Sequence, residues 1–124
     1  MAFLRRPARR GLRADEELLL DVEVDVVDAS GTSLPGAGTP VAVGVSDQRI
    51  LVWSVPRPPM RSSRLLGGVA RERLLSAVAE RRGECVAVML EFEEGARLEV
   101  EAPAELHPEQ LVWLLTAEPP SDGQ

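Results

Sequence analysis

The stretch that decides the fold is VAVGVSDQRILVW, residues 41 to 53. Valine alternates with smaller residues up to position 45, and an apolar run resumes after the polar tetrapeptide at residues 46–49. β-Branched residues in such an alternation suit the pleated, half-buried surface of a strand, and Asp47 suits a turn because its short side chain can bond the local backbone. The stretch therefore predicts two β-strands folded back on each other, with Val45 and Val52 buried.

Composition narrows the class of protein. The 124 residues are 44% hydrophobic, 27% charged and only 3% aromatic, which predicts one globular domain with an aliphatic core. Cys85 is the only cysteine, so no intrachain disulfide can form, and we expect a buried thiol in a protein of the reducing cytoplasm. With His107 as the only histidine, no metal-ligand spacing exists and no cofactor is predicted. No apolar run reaches the length of a membrane span or a signal peptide.

A further strand precedes the hairpin. Residues 17–28 alternate between apolar and acidic side chains, which is typical of a strand with one solvated face. The small and polar residues 29–40 that follow predict a loop in which Leu34 is the only large side chain. The side chains expected on the inner face of the strand are Leu18, Leu20, Val22, Val24 and Val26.

The middle of the chain predicts more strands and two irregular segments. Three prolines between residues 54 and 64 exclude a regular strand there, and Gly67-Gly68 predicts a bend. A strand end and a helical turn are expected over residues 69–75, followed by a short strand at residues 76–82. Residues 85–101 alternate around Glu94-Gly95 and predict a second hairpin.

The spacing of the hydrophobic residues changes from that of a strand to that of a helix near the end of the chain. Leucines at helical spacing predict an amphipathic helix over residues 108–117, because Pro108 suits the first helical position and Glu109 suits the first turn. A disordered tail is expected at residues 119–124. The fold class predicted is mainly β (α+β), a curved antiparallel sheet or partly open barrel with one C-terminal amphipathic helix. The apolar face of that helix holds Leu111, Leu114 and Leu115, to which Val112 or Trp113 is expected to add burial.

Charge is distributed unevenly. Residues 1–13 carry +5 and the remainder carries −11, so we expect residues 1–14 to form a flexible, arginine-rich leader. The irregular segment at residues 54–64 is also basic. The candidate contacts for an anionic surface are Arg5, Arg6, Arg9 and Arg10 in the leader and Arg57, Arg61 and Arg64 in the loop.

Three short motifs resemble those of bacterial pleckstrin-homology-like and GRAM-like domains. Residues 43–53 resemble the T-D-x-R-L-hydrophobic hairpin of these domains. Residues 68–74 are similar to the G-x-I-P step that follows it, with Ala70 in place of the proline, and residues 90–98 are similar to the L-x-F-x-D-G hairpin. The resemblance implies a pleckstrin-homology-like domain over residues 15–118, a scaffold that serves protein docking, lipid docking and ligand-free roles.

The residues favour a binding role. The acids alternate on solvated faces, and Cys85 and His107 lack partners, so catalysis is not expected. A pI of 4.8 and the scarcity of aromatic residues argue against nucleic acid. We therefore expect a non-enzymatic cytoplasmic interaction module that holds a protein partner at a sheet edge or at the helix groove. The alternative is a peripheral membrane module that binds anionic lipid weakly through the leader and the basic loop.

Overall fold

A computed structural model describes residues 11–31, 34, 36–56 and 63–116. These residues fold into seven β-strands and one α-helix, with short 3-10 turns at Arg71–Arg73, Glu93–Gly95 and Ala104–Leu106. The strands are β1 Leu18–Asp28, β2 Pro40–Ser46, β3 Arg49–Ser54, β4 Leu65–Ala70, β5 Leu74–Arg82, β6 Cys85–Phe92 and β7 Arg97–Pro103, and the helix α1 is Glu109–Thr116.

All seven strands belong to one antiparallel sheet that does not close. Their order is β4-β3-β2-β1-β7-β6-β5, so β4 and β5 are the two edges. The Arg71–Arg73 turn connects these two edge strands. The predicted class is therefore confirmed as a mainly β, partly open architecture with one C-terminal helix, and both predicted hairpins are present as β2–β3 and β6–β7.

The main core lies on one face of the sheet, called here the inner face. Alternate residues of β1, β2, β3, β6 and β7 point to this face, and α1 packs on it with Leu111 fully buried. Val45 and Val52 are buried there as predicted. Aliphatic side chains dominate this core, since Phe92 is its only buried aromatic residue among those described.

A smaller apolar cluster on the outer face corrects one strand assignment. The β1–β2 register shifts between Leu18 and Leu20, and such a bulge turns the residues on its two sides to opposite faces. Leu18 therefore packs with Leu51 and Trp53 outside, whereas Leu20 packs against the inner core. The expectation that both leucines share a face is wrong, because a bulge leaves no mark in the alternation itself.

The second correction concerns Gly67-Gly68, which lie within β4 and do not form a bend. A Cβ atom at Gly68 would come within 3.1 Å of Leu51 Cδ2, and one at Gly67 within 3.2 Å of Leu34 Cδ2. Both distances are tighter than usual for a Cβ atom. The two glycines thus permit close approach of neighbouring side chains to a strand, which is the other common meaning of glycine in a sheet.

Both ends of the described chain pack on the sheet. Residues 11–17, called here the N-terminal strap, cross the outer face, and Leu12 packs on the cluster around Trp53. Residues 1–10 of the predicted leader and the predicted tail lie outside the described residues. Of the two residues expected to add burial to the helix, Val112 packs against the inner core, whereas Trp113 is 63% exposed. No helix among the described residues is long and apolar enough to cross a membrane.

Candidate functional site

An open cavity of about 350 Å³ lies beside the edge strand β4. One wall is β4, and the opposite wall is the Glu93–Gly95 turn between β6 and β7. The loop after β1 contributes Gly31 and Leu34. Segments far apart in sequence therefore meet here. Its lining residues are Gly31, Leu34, Ile50, Val52, Gly67, Gly68, Val69, Arg73, Phe92, Glu93, Glu94, Ala96 and Leu98.

The floor of the cavity is apolar. It is formed by one side of four side chains that belong to the inner core, those of Ile50, Val52, Phe92 and Leu98. Gly67 leaves the space open, because a side chain at this position would point at Leu34. An apolar cavity of this size suits the side chain of a ligand and gains free energy by releasing water from it.

The rim of the cavity carries charge with an acidic balance. Arg73 Nη2 lies 2.5 Å from Glu94 Oε2, and Arg73 Nε lies 3.6 Å from Glu93 Oε1. All three side chains are more than 40% exposed, so these ion pairs contribute little to stability and can rearrange. With two carboxylates against one guanidinium, the rim favours neutral or basic ligands over anionic ones.

The turn that forms this rim has an unusual backbone. Glu94 has φ 67° and Gly95 has φ 79°, so two successive residues adopt the left-handed conformation. Glycine accepts this region without cost, whereas a side chain such as that of Glu94 is disfavoured there. The Glu94-Gly95 turn expected from the sequence is thus present, and it holds the Glu94 carboxylate above the cavity mouth.

The edge of β4 runs beside the cavity, and its outward backbone groups pair with no other strand among the described residues. Ser54 N–H donates to Arg64 O at 2.8 Å, and Arg71 N–H donates to Gln48 O at 3.2 Å, which fixes the pairing at both ends of β4. Antiparallel pairs alternate between bonded and non-bonded, so the register puts Gly68 and Ala70 in non-bonded positions. Their N–H and C=O groups therefore point away from β3, toward the open edge.

All six residues of β4 are uncharged. Edge strands are usually protected by charges, prolines or bulges in their middle, and here the only irregularity is a register shift near Leu65. The segment from residue 67 to residue 70 is thus open to pairing with another extended chain. An extended peptide could add to this edge and place an alternate side chain in the cavity.

A second polar cluster lies at the start of the domain and was not expected from the sequence. Glu16 accepts hydrogen bonds from Arg49 Nε at 2.9 Å and Nη2 at 2.6 Å, from Arg13 N–H at 2.9 Å and from Ser46 Oγ at 2.5 Å. Its side chain has no exposed surface. The bonds from Arg49, together with those from Arg13 and Ser46, lower the pKa of Glu16 to about 2 against the opposing effect of burial. This cluster fixes the strap to the β2–β3 hairpin.

Of the basic residues singled out from the sequence, Arg64 is described, and it is absent from the lining of the cavity. Arg64 is exposed directly before β4, where its N–H donates to Ser54 Oγ at 2.8 Å. The other candidates lie outside the described residues, and their grouping with Arg64 stays a prediction, namely Arg5, Arg6, Arg9, Arg10, Arg57 and Arg61. The rim residues Arg73, Glu93 and Glu94 were missed because each belongs to an ordinary polar turn in the sequence. Leu34 was the one available signal, as the only large side chain of its loop.

The single cysteine and the single histidine lie on different elements of the fold. Cys85 is half-buried at the start of β6 and is not part of any disulfide. His107 is exposed, and its Nδ1 lies 3.1 Å from Glu109 Oε2. Within residues 11–31, 34, 36–56 and 63–116, no group of three His, Cys, Asp or Glu side chains is placed to hold a metal ion.

Comparison with known proteins adds no relative: no family model matches the chain, and no curated protein is significantly similar to it.

Proposed function

We propose that this chain is a non-enzymatic, cytoplasmic interaction module of the pleckstrin-homology-like kind, which holds an extended segment of a protein partner along β4. The observation that carries the proposal is the uncharged free edge of β4 beside an apolar cavity. The partner segment pairs with the N–H and C=O groups of Gly68 and Ala70 and places one apolar side chain on the floor formed by Ile50 and Val52.

The chemistry of the rim selects among partners. Because Glu93 and Glu94 outnumber Arg73, a segment with basic or neutral residues beside its apolar anchor is favoured over an acidic one. Main-chain pairing supplies affinity without regard to sequence, whereas the cavity supplies specificity at one position. The same acidic rim opposes binding of a phosphorylated headgroup at this cavity.

The experiment starts from random peptides displayed against the whole protein, followed by calorimetric titration of the enriched peptide. Gly67→Val fills the cavity from its wall, so we expect binding to fall at least tenfold, or about 1.4 kcal/mol. Thermal unfolding of the variant is measured alongside, because a Cβ atom at this position comes within 3.2 Å of Leu34 Cδ2. Gly36→Val is the matched control, because Gly36 is exposed and a Cβ atom there meets nothing within 4 Å. Amide shifts in the protein spectrum should concentrate on β4 and the Glu93–Gly95 turn.

Two results would refute the docking site. Equal affinity of Gly67→Val and the unmodified protein would exclude the cavity, and shifts confined to α1 would move the partner to the helix. Enriched peptides that consist mainly of acidic residues would contradict the role of the rim.

The alternative function is attachment to an anionic membrane by the basic leader and loop. Each Arg near such a surface contributes about 1 kcal/mol, so the five arginines of residues 1–13 could supply roughly 5 kcal/mol at low salt. The −11 charge of the remaining chain opposes this attraction. We expect vesicle binding to be weak, to vanish at physiological salt, and to be reproduced by residues 1–13 fused to an inert carrier. Tight binding at that salt, lost in the Arg57, Arg61 and Arg64→Ala variant but retained without residues 1–13, would replace protein docking by a folded lipid site.

A further inference from the structure

The second open edge of the sheet, β5, has a different character from β4. It is nine residues long, and its residues 74–79 carry no charge. Val78 is 50% exposed and Leu75 is 67% exposed. These two exposed aliphatic residues lie on a strand that pairs with β6 on one side and with no described strand on the other, and such edges can associate with other strands.

The hydrogen-bond pattern shows which backbone groups of β5 are available. Phe92 N–H donates to Ala96 O at 2.8 Å and Ala104 N–H donates to Glu84 O at 2.9 Å, so the even-numbered residues of β6 bond to β7 and the odd-numbered ones bond to β5. Met89 is therefore bonded to its partner Val78. The neighbours of Val78 in β5, residues 77 and 79, direct their N–H and C=O groups outward.

We propose that β5 is the contact of a symmetric dimer, in which β5 of a second copy lies antiparallel to it with Val78 opposite Val78. This position is the midpoint of Leu74–Arg82, so a two-fold axis there pairs the regular part of the strand, residues 76–80, with its copy; the register shift between Leu74 and Ser76 lies outside that part. The outward N–H and C=O groups of Ala77 then bond to those of Ala79 in the second copy, and the groups of Ala79 bond to those of Ala77 in the second copy. The dimer joins two sheets into one and covers the exposed Val78 side chains.

Side-chain sizes agree with this register. Small residues face each other where Ala77 meets Ala79 of the second copy, and Ser76, whose Oγ donates to Glu91 Oε1 at 3.2 Å, meets Glu80 of the second copy. An axis at Glu80 or at Arg81 would set identical charges directly opposite, which is unfavourable.

The charge of the rest of the molecule favours the β5 edge over other faces for self-association. The acidic residues of β1 and β7 on the outer face are separated from the edge by β6. Two acids lie nearer, Glu91 on β6, which accepts a hydrogen bond from Ser76 Oγ at 3.2 Å, and Glu80 on β5, which Arg82 binds at 3.0 Å while also binding Glu99 at 2.6 Å. Two chains of net charge −6 can therefore meet at this edge with the acidic surfaces of β1 and β7 apart.

Light scattering across a range of protein concentrations tests the dimer directly. We expect the mass to rise from the 13.4 kDa monomer to twice this value, and we expect Val78→Lys to remain a monomer because two ammonium groups would meet on the axis. Leu19→Lys is the matched control, since Leu19 is 44% exposed on the interior strand β1. A monomeric unmodified protein at every concentration, or a dimer that Val78→Lys leaves intact, would overturn the proposal.

A disulfide tests the register. Opposite residues of a non-bonded antiparallel pair have Cα atoms about 4.5 Å apart, within the range that a disulfide spans. In a Cys85→Ser background, Val78→Cys should therefore give a covalent, reducible dimer under mild oxidation. Glu80→Cys in the same background should not, because the two cysteines would lie about 13 Å apart along the strands. Equal cross-linking of both variants, or none of Val78→Cys in a protein that dimerises, would overturn the Val78 register.

Discussion

The Glu16 carboxylate accepts hydrogen bonds from the Arg49 guanidinium through both of its oxygens, although the two residues are 33 positions apart in sequence. The pair lies where the N-terminal strap meets the start of β3, and Arg49 Nη2 also donates to Gly11 O at 2.8 Å. Bidentate pairs of this kind are stronger than single ionic contacts, and the Glu16 side chain has no exposed surface. The strap is therefore fixed by electrostatics at one end and by the packing of Leu12 at the other.

The first prediction is a dependence of stability on acid. The folded protein lowers the pKa of Glu16 from 4.5 to about 2, so the carboxylate stabilises the fold above pH 4.5 and that contribution is lost as the pH falls toward 2. At neutral pH we expect Glu16→Gln to lower the free energy of unfolding by about 2 to 3 kcal/mol. Urea unfolding at several pH values measures the difference between the two proteins. A gap that stays constant from pH 7 to pH 2 would contradict the assignment.

The second prediction compares the two faces of the sheet. Val52 is 4% exposed in the inner core, so Val52→Asp would bury an unpaired charge at a cost of several kcal/mol and should prevent stable folding. Asp25 is exposed and stands opposite Glu101 across β1 and β7. Because Asp25→Asn removes a repulsion between like charges, we expect it to be silent or slightly stabilising. Similar melting temperatures for the two variants would mean that the faces are reversed.

The third prediction uses two large side chains of α1. Leu111 has no exposed surface, and Leu111→Ala should cost about 2 to 5 kcal/mol through lost burial and a residual cavity. Trp113, at 63% exposed, should tolerate Trp113→Ala with a change within about 0.5 kcal/mol. Thermal unfolding of both variants gives the comparison. A chain that ends at Glu105 should not unfold cooperatively, and cooperative unfolding of that shortened monomer would show that the helix is dispensable.

The fourth prediction concerns Ala70, where the resembling family has proline. Its φ of −59° is the value that proline requires, and its N–H group points away from β3. Ala70→Pro should therefore stabilise the protein by about 0.4 to 1 kcal/mol by restricting the unfolded chain, whereas Ala70→Gly should destabilise it. Denaturant unfolding should rank the three residues as Pro, Ala, Gly in decreasing stability. The reverse order would show that the Ala70 N–H group is used within the fold.

Local patterns predicted the strands and the helix better than the contacts between them. The alternation around Val43 and Val88 and the leucines near Leu111 each depend on neighbours in sequence, and their elements are present. The bulge beside Leu18 and the glycines of β4 depend on which strand lies alongside, and both were misassigned. The sequence of one strand does not specify its register against a neighbouring strand, so both misassignments have the same physical cause.

The candidate site was beyond local prediction for the same reason. Arg73 and Glu94 are 21 positions apart and meet because β5 pairs with β6 with Leu74 opposite Phe92, which brings the residues flanking this pair together. The sequence directed attention to its concentrations of arginine, whereas the cavity is defined by side chains that are absent, as at Gly67. A void between distant segments has no compositional signature.

The contrast between the two tryptophans provides an optical assay of the strap. Trp53 is fully buried beneath Leu12 and Leu18, whereas Trp113 stands in solvent on the helix. A dissolved quencher should therefore reach Trp113 alone, and Trp113→Phe should leave an emission that is blue-shifted and shielded. Release of the strap would expose that remaining indole while the sheet stays folded, so its fluorescence would separate detachment of the strap from global unfolding.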